Sequence, residues 1–267
     1  MSDPSRTREW DATAYHRLSA PQVSWGKKVL ARLQLRGDEL LIDAGCGTGR
    51  LTQELLSDLP YGRVVAVDVS QNMLATARDY LFPQFGSRVH FVAADLQHLP
   101  FEHAADGIFS TATFHWVSDH SQLFRSLFRA LRPGGWLRAQ CGGGPNLARL
   151  MKRVDALSAG PQYARFFVHF QSPWVYNDAD TAATLLRDAG FINVETDVEP
   201  ALTVLENEKH YSEFLRTVIL RRHLQEIPYA ALQAEFIAEL ARQAEQDEPP
   251  FSLDYWRLNL AGEVPSP

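Results

Sequence analysis

An α/β fold, with a doubly wound and mostly parallel sheet of seven strands and helical cap insertions, is what this sequence predicts. Three observations lead there. Between Glu39 and Leu55 a short apolar run passes through a glycine turn into an amphipathic helix. From there to Cys141, short apolar runs alternate with segments of helical period, the pattern of parallel strands joined by crossover helices. After Gly144 the chain turns aromatic and helical before two more strand-like runs appear.

Bulk properties narrow the class. A chain of 267 residues with 45% hydrophobic content can bury a full core without staples. Its net charge of −6 argues against tight binding to a nucleic-acid backbone. The polar start MSDPSRTREW has no apolar signal-peptide core, and no apolar run reaches membrane-spanning length, so a soluble cytoplasmic protein is expected. Cys46 and Cys141 fall at the ends of two strands with one strand between them, about 10 Å apart, too far for a disulfide. Both are expected as free thiols. His98, His103 and His120 lack metal-ligand spacing, so no metal is expected.

Taken in order, Trp10 and Tyr15 open a segment of bulky aromatics that either plugs the sheet edge or forms a flap over a ligand site. Ser24 to Leu35 reads as the first helix, so residues 10–35 form a flap and helix on a single domain spanning 1–267. Leu40, Leu41 and Ile42 read as a strand buried on both faces, ending in Asp43-Ala44-Gly45-Cys46-Gly47-Thr48-Gly49. Three glycines let the backbone turn sharply and a ligand lie against it, and the helix that follows presents free N–H groups to an anion. The spacing is D-x-G-x-G-x-G rather than the dinucleotide G-x-G-x-x-G, and no Gly-Lys-Ser/Thr follows as in a P-loop.

A second strand, Arg63 to Ser70, carries Asp68 about twenty residues after the glycines, where an acid can accept both hydroxyls of a ribose. Ser70 is placed to cap a helix bearing Met73, Leu74, Ala77 and Tyr80. Val89 to Asp95 is a third strand ending in an acid, and Gly107 to Ala112 a fourth, followed by Thr113-Phe114-His115-Trp116. A helix from His120 to Leu131 stops at Arg132-Pro133-Gly134-Gly135, and Trp136 to Cys141 is the fifth strand. Helical insertions are expected at 145–176 and 205–247, the first helical in pattern but rich in aromatics and the second as two helices interrupted at Pro228. Asp178 caps a helix before a sixth strand, Phe191 to Glu199, and Phe251 to Leu260 closes the chain as an antiparallel strand at the sheet edge. Ligands of such sheets bind at the carboxyl ends of the strands, where Asp43, Asp68 and Asp95 all fall.

These residues together make the chain resemble the class I S-adenosylmethionine-dependent methyltransferases over about residues 38–142. Trp10 to Gln22 and the closing YWRLNL resemble the trans-aconitate methyltransferase-like branch, with malonyl-carrier-protein and juvenile hormone acid methyltransferases as further relatives. The resemblance implies a Rossmann-like fold, S-adenosylmethionine as cofactor and a small-molecule acceptor, most simply a carboxylate methylated on oxygen. It implies that Asp43, Gly45, Gly47 and Gly49 surround the methionine portion and Asp68 the ribose. Asp95 meets the adenine amino group, with Val69, Met73 and Leu96 against the ring faces. Ser110 and Thr111 border the sulfonium, and Tyr15 belongs to the flap. At the acceptor side it implies Trp116 against the substrate, His115 as hydrogen-bonding partner or general base, and Gln22 on the carboxylate. A histidine that only anchors its loop is the competing reading of His115, and a surface glutamine that of Gln22. Arg216 and His223, on one face with Leu220 by helical spacing, are further candidates to meet a carboxylate. The alternatives are a nucleotide-cofactor oxidoreductase and a non-catalytic S-adenosylmethionine-binding protein.

Overall fold

The computed structural model describes residues 9–10, 12, 16–17 and 19–266. It contains α1 (Ala20–Leu30), β1 (Leu40–Ala44), α2 (Arg50–Asp58), β2 (Arg63–Asp68), α3 (Gln71–Phe85), β3 (Val89–Ala93) and β4 (Ala105–Thr111). Then come α4 (His120–Ala130), β5 (Leu131–Gly142), α5 (Ala148–Ser158), α6 (Ala179–Asp188), β6 (Ile192–Pro200) and β7 (Thr203–Val204). The chain ends with α7 (Glu208–Phe214), α8 (Arg221–Glu226), α9 (Ala230–Ala244), β8 (Ser252–Leu253) and β9 (Trp256–Glu263).

The sheet has seven strands in the order β3-β2-β1-β4-β5-β9-β6. The first five are parallel to their neighbours, with Asp43 beside Ala66 on β2 and Phe109 on β4. Burial on both faces follows from residues that alternate sides. Leu41, Val64, Ala66 and Phe109 pack with Val29 and Leu30 of α1, Leu55 and Leu56 of α2 and Leu74, Ala77 and Leu81 of α3. Ile42, Val67, Ile108 and Leu137 pack on the other face with Leu123, Phe124 and Leu127 of α4 and Ala182 and Leu186 of α6. Each such leucine or phenylalanine, fully withdrawn from water, contributes about 1.5–3 kcal/mol. The doubly wound arrangement is therefore present, and switching between the two faces at β1 opens a crevice at the strand tips.

Helix starts follow local chemistry. Ser70 accepts from the Met73 N–H at the start of α3, and Asp178 from the Thr181 N–H at the start of α6, as their positions predict. The first helix starts earlier than its apolar pattern suggests, at Ala20, because Pro21 favours the first turn.

Four further expectations are corrected. The closing strand is not at the sheet edge. Val264 N–H donates to Gly135 while Asn259 meets Gln140, so β9 runs antiparallel to β5. On its other side Glu263 meets Asn193 and Asn259 meets Asp197, which puts β9 between β5 and β6. Arg257, Leu258, Asn259 and Leu260 are all buried, the mark of an interior strand that two polar side chains concealed.

The chain divides into two compact units, 1–144 with 175–198 and 258–267, and 145–174 with 199–257. In the second unit, residues 145–174 are not helical throughout. α5 ends before Gly160-Pro161, and the aromatics beyond it pack on each other, Phe167 on Phe170 and Phe236 and Tyr163 on Phe236, rather than along one helix. Residues 208–246 hold three helices, not two. A π-helical turn at Leu215–Ile219 separates α7 from α8, and Pro228 separates α8 from α9. That extra residue in the turn rotates the chain, so Arg216 is exposed while His223 is buried among Phe167, Phe170 and Trp174. The two do not share a face. Burial pushes the His223 imidazole down to about 4, so it is neutral and no counter-ion for a carboxylate. No helix among the described residues is long and apolar enough to cross a membrane.

Candidate active site

The turn after β1 is built by hydrogen bonds that only a near-bare backbone can make. Gly45 and Cys46 both donate to the Val67 carbonyl, at 2.8 and 2.9 Å, drawing the loop over the tip of β2. Gly45 has φ +83°, and a Cβ there would lie 2.2 Å from the Thr113 side chain, so this residue must be glycine for the loop after β4 to approach. Gly47, at φ +54°, donates to Asp68 Oδ2 at 2.9 Å. Gly49 caps α2 in the left-handed region, where a Cβ would strike Leu81 of α3 at 2.7 Å.

Asp43 is buried beneath this loop and accepts a 2.6 Å hydrogen bond from the Thr52 hydroxyl. Burial raises its carboxyl to about 7 against the pull of that hydrogen bond, and the Asp68 charge adds to the rise. Asp68 accepts from Ser70 N–H as well as from Gly47, yet burial keeps it above the usual carboxylate range. Above the loop lies a cleft open to solvent, lined among others by Asp43, Gly45, Gly47, Thr111 and Gln22. Arg50 also lines it, donating to the His16 carbonyl at 3.1 Å, and Thr48 meets His16 Nδ1 at 2.9 Å. Gln22 is no surface residue: its Oε1 is buried and has no partner among the described residues.

Not every expected residue faces that cleft. Ser110 turns its hydroxyl to the Ala44 carbonyl at 2.6 Å, joining β4 to β1. Val69 stands exposed at the tip of β2, with Met73 and Leu96 buried. Asp95 caps a short 3-10 turn, accepting from Gln97 N–H at 3.0 Å. Tyr15 lies outside the described residues.

After β4, a 3-10 turn at Phe114–Trp116 presents His115 and Trp116. His115 is buried, its ring tilted against Trp116 and Tyr176, and its Nδ1 accepts from Gly142 N–H at 3.2 Å. His120 also ties this loop down, bonded to the Phe114 carbonyl at 2.9 Å and to the Asn177 amide at 2.6 Å. Burial lowers its pKa, consistent with a neutral ring. Trp116 and Trp10 meet nearly perpendicular, ring centroids 5.1 Å apart. Glu9, next to Trp10, accepts from the Ser70 hydroxyl and from the Gln71 and Asn72 N–H groups, at 3.0, 3.1 and 3.1 Å. Sequence reasoning missed Glu9, for which there is no local signal. It missed Arg50 too, which its place directly after the glycines could have flagged.

Residues 42–139 match the family described as Methyltransferase domain. The chain is 30% identical over 255 residues to a trans-aconitate 2-methyltransferase of Variovorax paradoxus, covering 90% of this chain and 91% of that one. The chain belongs to the class I S-adenosylmethionine-dependent methyltransferases, in the trans-aconitate methyltransferase-like branch. A trans-aconitate 2-methyltransferase of Acidovorax ebreus is 36% identical over 132 residues, 49% of each chain. Among solved structures, phosphoethanolamine N-methyltransferase 2 of Haemonchus contortus, in complex with phosphomonomethylethanolamine and S-adenosylhomocysteine, superposes with a TM-score of 0.61. At 18% identity, over 96% of this chain and 57% of that one, it supports the fold alone.

The methyltransferase cofactor, S-adenosylmethionine, fits the groups at the strand tips. Its methionine end pairs a carboxylate with an ammonium and a sulfonium. The cleft offers the Arg50 guanidinium for the first and the Asp43 carboxyl for the others.

Proposed function

We propose that this methyltransferase transfers a methyl group to an oxygen of a small-molecule carboxylate. The observation that carries the reading is the likeness, along nine-tenths of both chains, to an enzyme whose name gives a tricarboxylic acid as its acceptor. The His115-Trp116 pair beyond the tip of β4 supports it, because a carboxylate needs orientation there and no strong base.

In this reading Asp68 holds the ribose hydroxyls, and Asp95 the adenine amino group, with Val69, Met73 and Leu96 about the ring. Asp43, Gly45, Gly47 and Gly49 form the bed of the methionine portion, Thr111 borders the reacting carbon, and Trp116 and Gln22 meet the acceptor. When bound, S-adenosylmethionine supplies a methyl on a positive sulfur, which the carboxylate oxygen attacks as the C–S electron pair returns to sulfur. What the chain does is align the partners and exclude water.

The test is to incubate the purified protein with S-adenosylmethionine and mono-, di- and tricarboxylates, trans-aconitate among them, and to read products by mass spectrometry. Methyl esters formed together with S-adenosylhomocysteine are expected. Methylation of amines or phenols with no ester from any acid would sink the carboxylate reading.

A further inference from the structure

The turn that carries His115 and Trp116 is held from outside at two successive peptide groups. The Phe114 carbonyl accepts from Nε2 of the His120 ring at 2.9 Å, and the His115 carbonyl accepts from Val175 N–H at 2.9 Å. The two holds are joined. The other ring nitrogen of His120 meets the Asn177 amide at 2.6 Å, two residues on from Val175. The Asn177 carbonyl in turn accepts from Gly144 N–H at 2.9 Å, just beyond the end of β5. Turn, ring and residues 175–177 thus close into one bracket of hydrogen bonds.

This bracket fixes the protonation state of His120. A carbonyl can only accept, so Nε2 carries the proton; the Asn177 amide nitrogen can only donate, so Nδ1 keeps its lone pair. The ring is buried at the start of α4, with the Phe124 ring tilted against it at 5.8 Å. Phe114, Val117, Phe124 and Asn177 bring no charge to it. Among the described residues the charge that acts on it is that of Asp119, the cap of α4, and burial outweighs that attraction for a proton. Protonating Nδ1 would set two N–H groups against each other and part the ring from Asn177.

We propose that His120 is a positioning residue for methyl transfer, a latch that holds the Phe114–Trp116 turn to residues 175–177 while its ring is neutral and releases it when Nδ1 takes a proton. That this turn meets the acceptor rests on the reading above. The geometry of the turn is thereby tied to pH through a buried ring at the start of the next helix.

The test uses the full chain labelled with 5-fluorotryptophan and saturated with S-adenosylhomocysteine. Trp116 is assigned by its loss in Trp116→Phe, and the His120 ring, in long-range proton–nitrogen spectra, by its loss in His120→Gln. The expected result is an Nε2–H tautomer at about pH 7.5 that titrates below 6.5, with the Trp116 fluorine signal moving at the same midpoint. His120→Gln keeps one donor and one acceptor and cannot titrate, so its Trp116 signal stays at the neutral position throughout. Asn177→Asp reverses the response: its carboxylate holds the charged ring, so the turn stays in place in acid and is released as the ring loses its proton, above the parent's midpoint. With trans-aconitate and saturating S-adenosylmethionine at about pH 7.5, kcat stays within about fivefold in His120→Gln and falls roughly 100-fold in His120→Phe, the cost of a misplacement of about 1 Å. An Nδ1–H tautomer, a ring that titrates while the Trp116 signal stands still, or an Asn177→Asp chain that responds as the parent does overturns the latch. If the parent esterifies no acid while the signals behave as stated, the latch stands and the carboxylate reading falls.

Discussion

Asp43 holds its proton longer than a surface carboxylate because it sits under the glycine loop with one hydroxyl for company. Its pKa of about 7 lies above the ordinary 3.8, so the group favours the folded state most fully below 3.8, and that contribution is lost as pH rises through 7. Asp68 is displaced in the same direction. A cation placed in the cleft reverses the balance by favouring the charged carboxylate, and its binding at pH below 7 then releases a proton. Two results are expected. Without cofactor, thermal stability falls between mildly acidic and mildly alkaline pH. S-adenosylmethionine affinity rises over the same range, by at most about tenfold per pH unit, and levels off above the Asp43 pKa. Calorimetry in buffers of different ionisation enthalpy counts the released proton. Asp43→Asn should abolish both the proton release and most of the pH slope; a slope that survives it would assign the titration elsewhere.

Among the elements, the start of α3 carries the most consequence. Ser70 caps it locally, and Glu9 caps it again from more than sixty residues away, placing a carboxylate where the helix dipole favours one. The same short strap leans Trp10 on Trp116, so the segment reaches from the start of α3 to the turn after β4. Glu9→Ala should cost about 0.3–1 kcal/mol of stability, as for loss of an anion at a helix start. It should also speed hydrogen exchange at Gln71 and Asn72 and weaken S-adenosylhomocysteine binding. Asn207→Ala, which removes the cap of α7, is the control for stability loss alone; equal effects on binding would reduce the Glu9 contact to scaffolding. The Ser70 and Asp178 caps were legible because cap and helix are neighbours in sequence. The Glu9 cap was not, since nothing near residue 9 names its partner. The π-helical turn at Leu215–Ile219 was hidden for another reason: FLRTVILRRHL keeps an apolar period through it, and only the burial of His223 against the exposure of Arg216 reveals the shift.

At the scale of the whole molecule, the sheet is completed by the last strand to be made. The five parallel strands could be read along the chain because each crossover is local. The place of β9 could not, because its partners β5 and β6 are distant in sequence and it inserts between them. Leu258, Leu260 and Val264 belong to the same core as Ile42 and Ile108, and Asn259 links Gln140 to Asp197 across the three strands. Removing this segment therefore deletes an interior strand. It leaves β5 and β6 with unsatisfied edges and uncovers the apolar faces of α4 and α6. A chain ending at Tyr255 is expected to lose its cooperative unfolding transition and, with it, S-adenosylhomocysteine binding, although every residue proposed to touch the cofactor remains. A chain ending at Val264, which keeps all of β9 and the contact of Val264 with Gly135, should unfold as the parent does. Chemical denaturation followed by tryptophan fluorescence separates the two. A shorter chain that still melts cooperatively and binds cofactor would mean that the parallel half of the sheet folds without the strand that closes it.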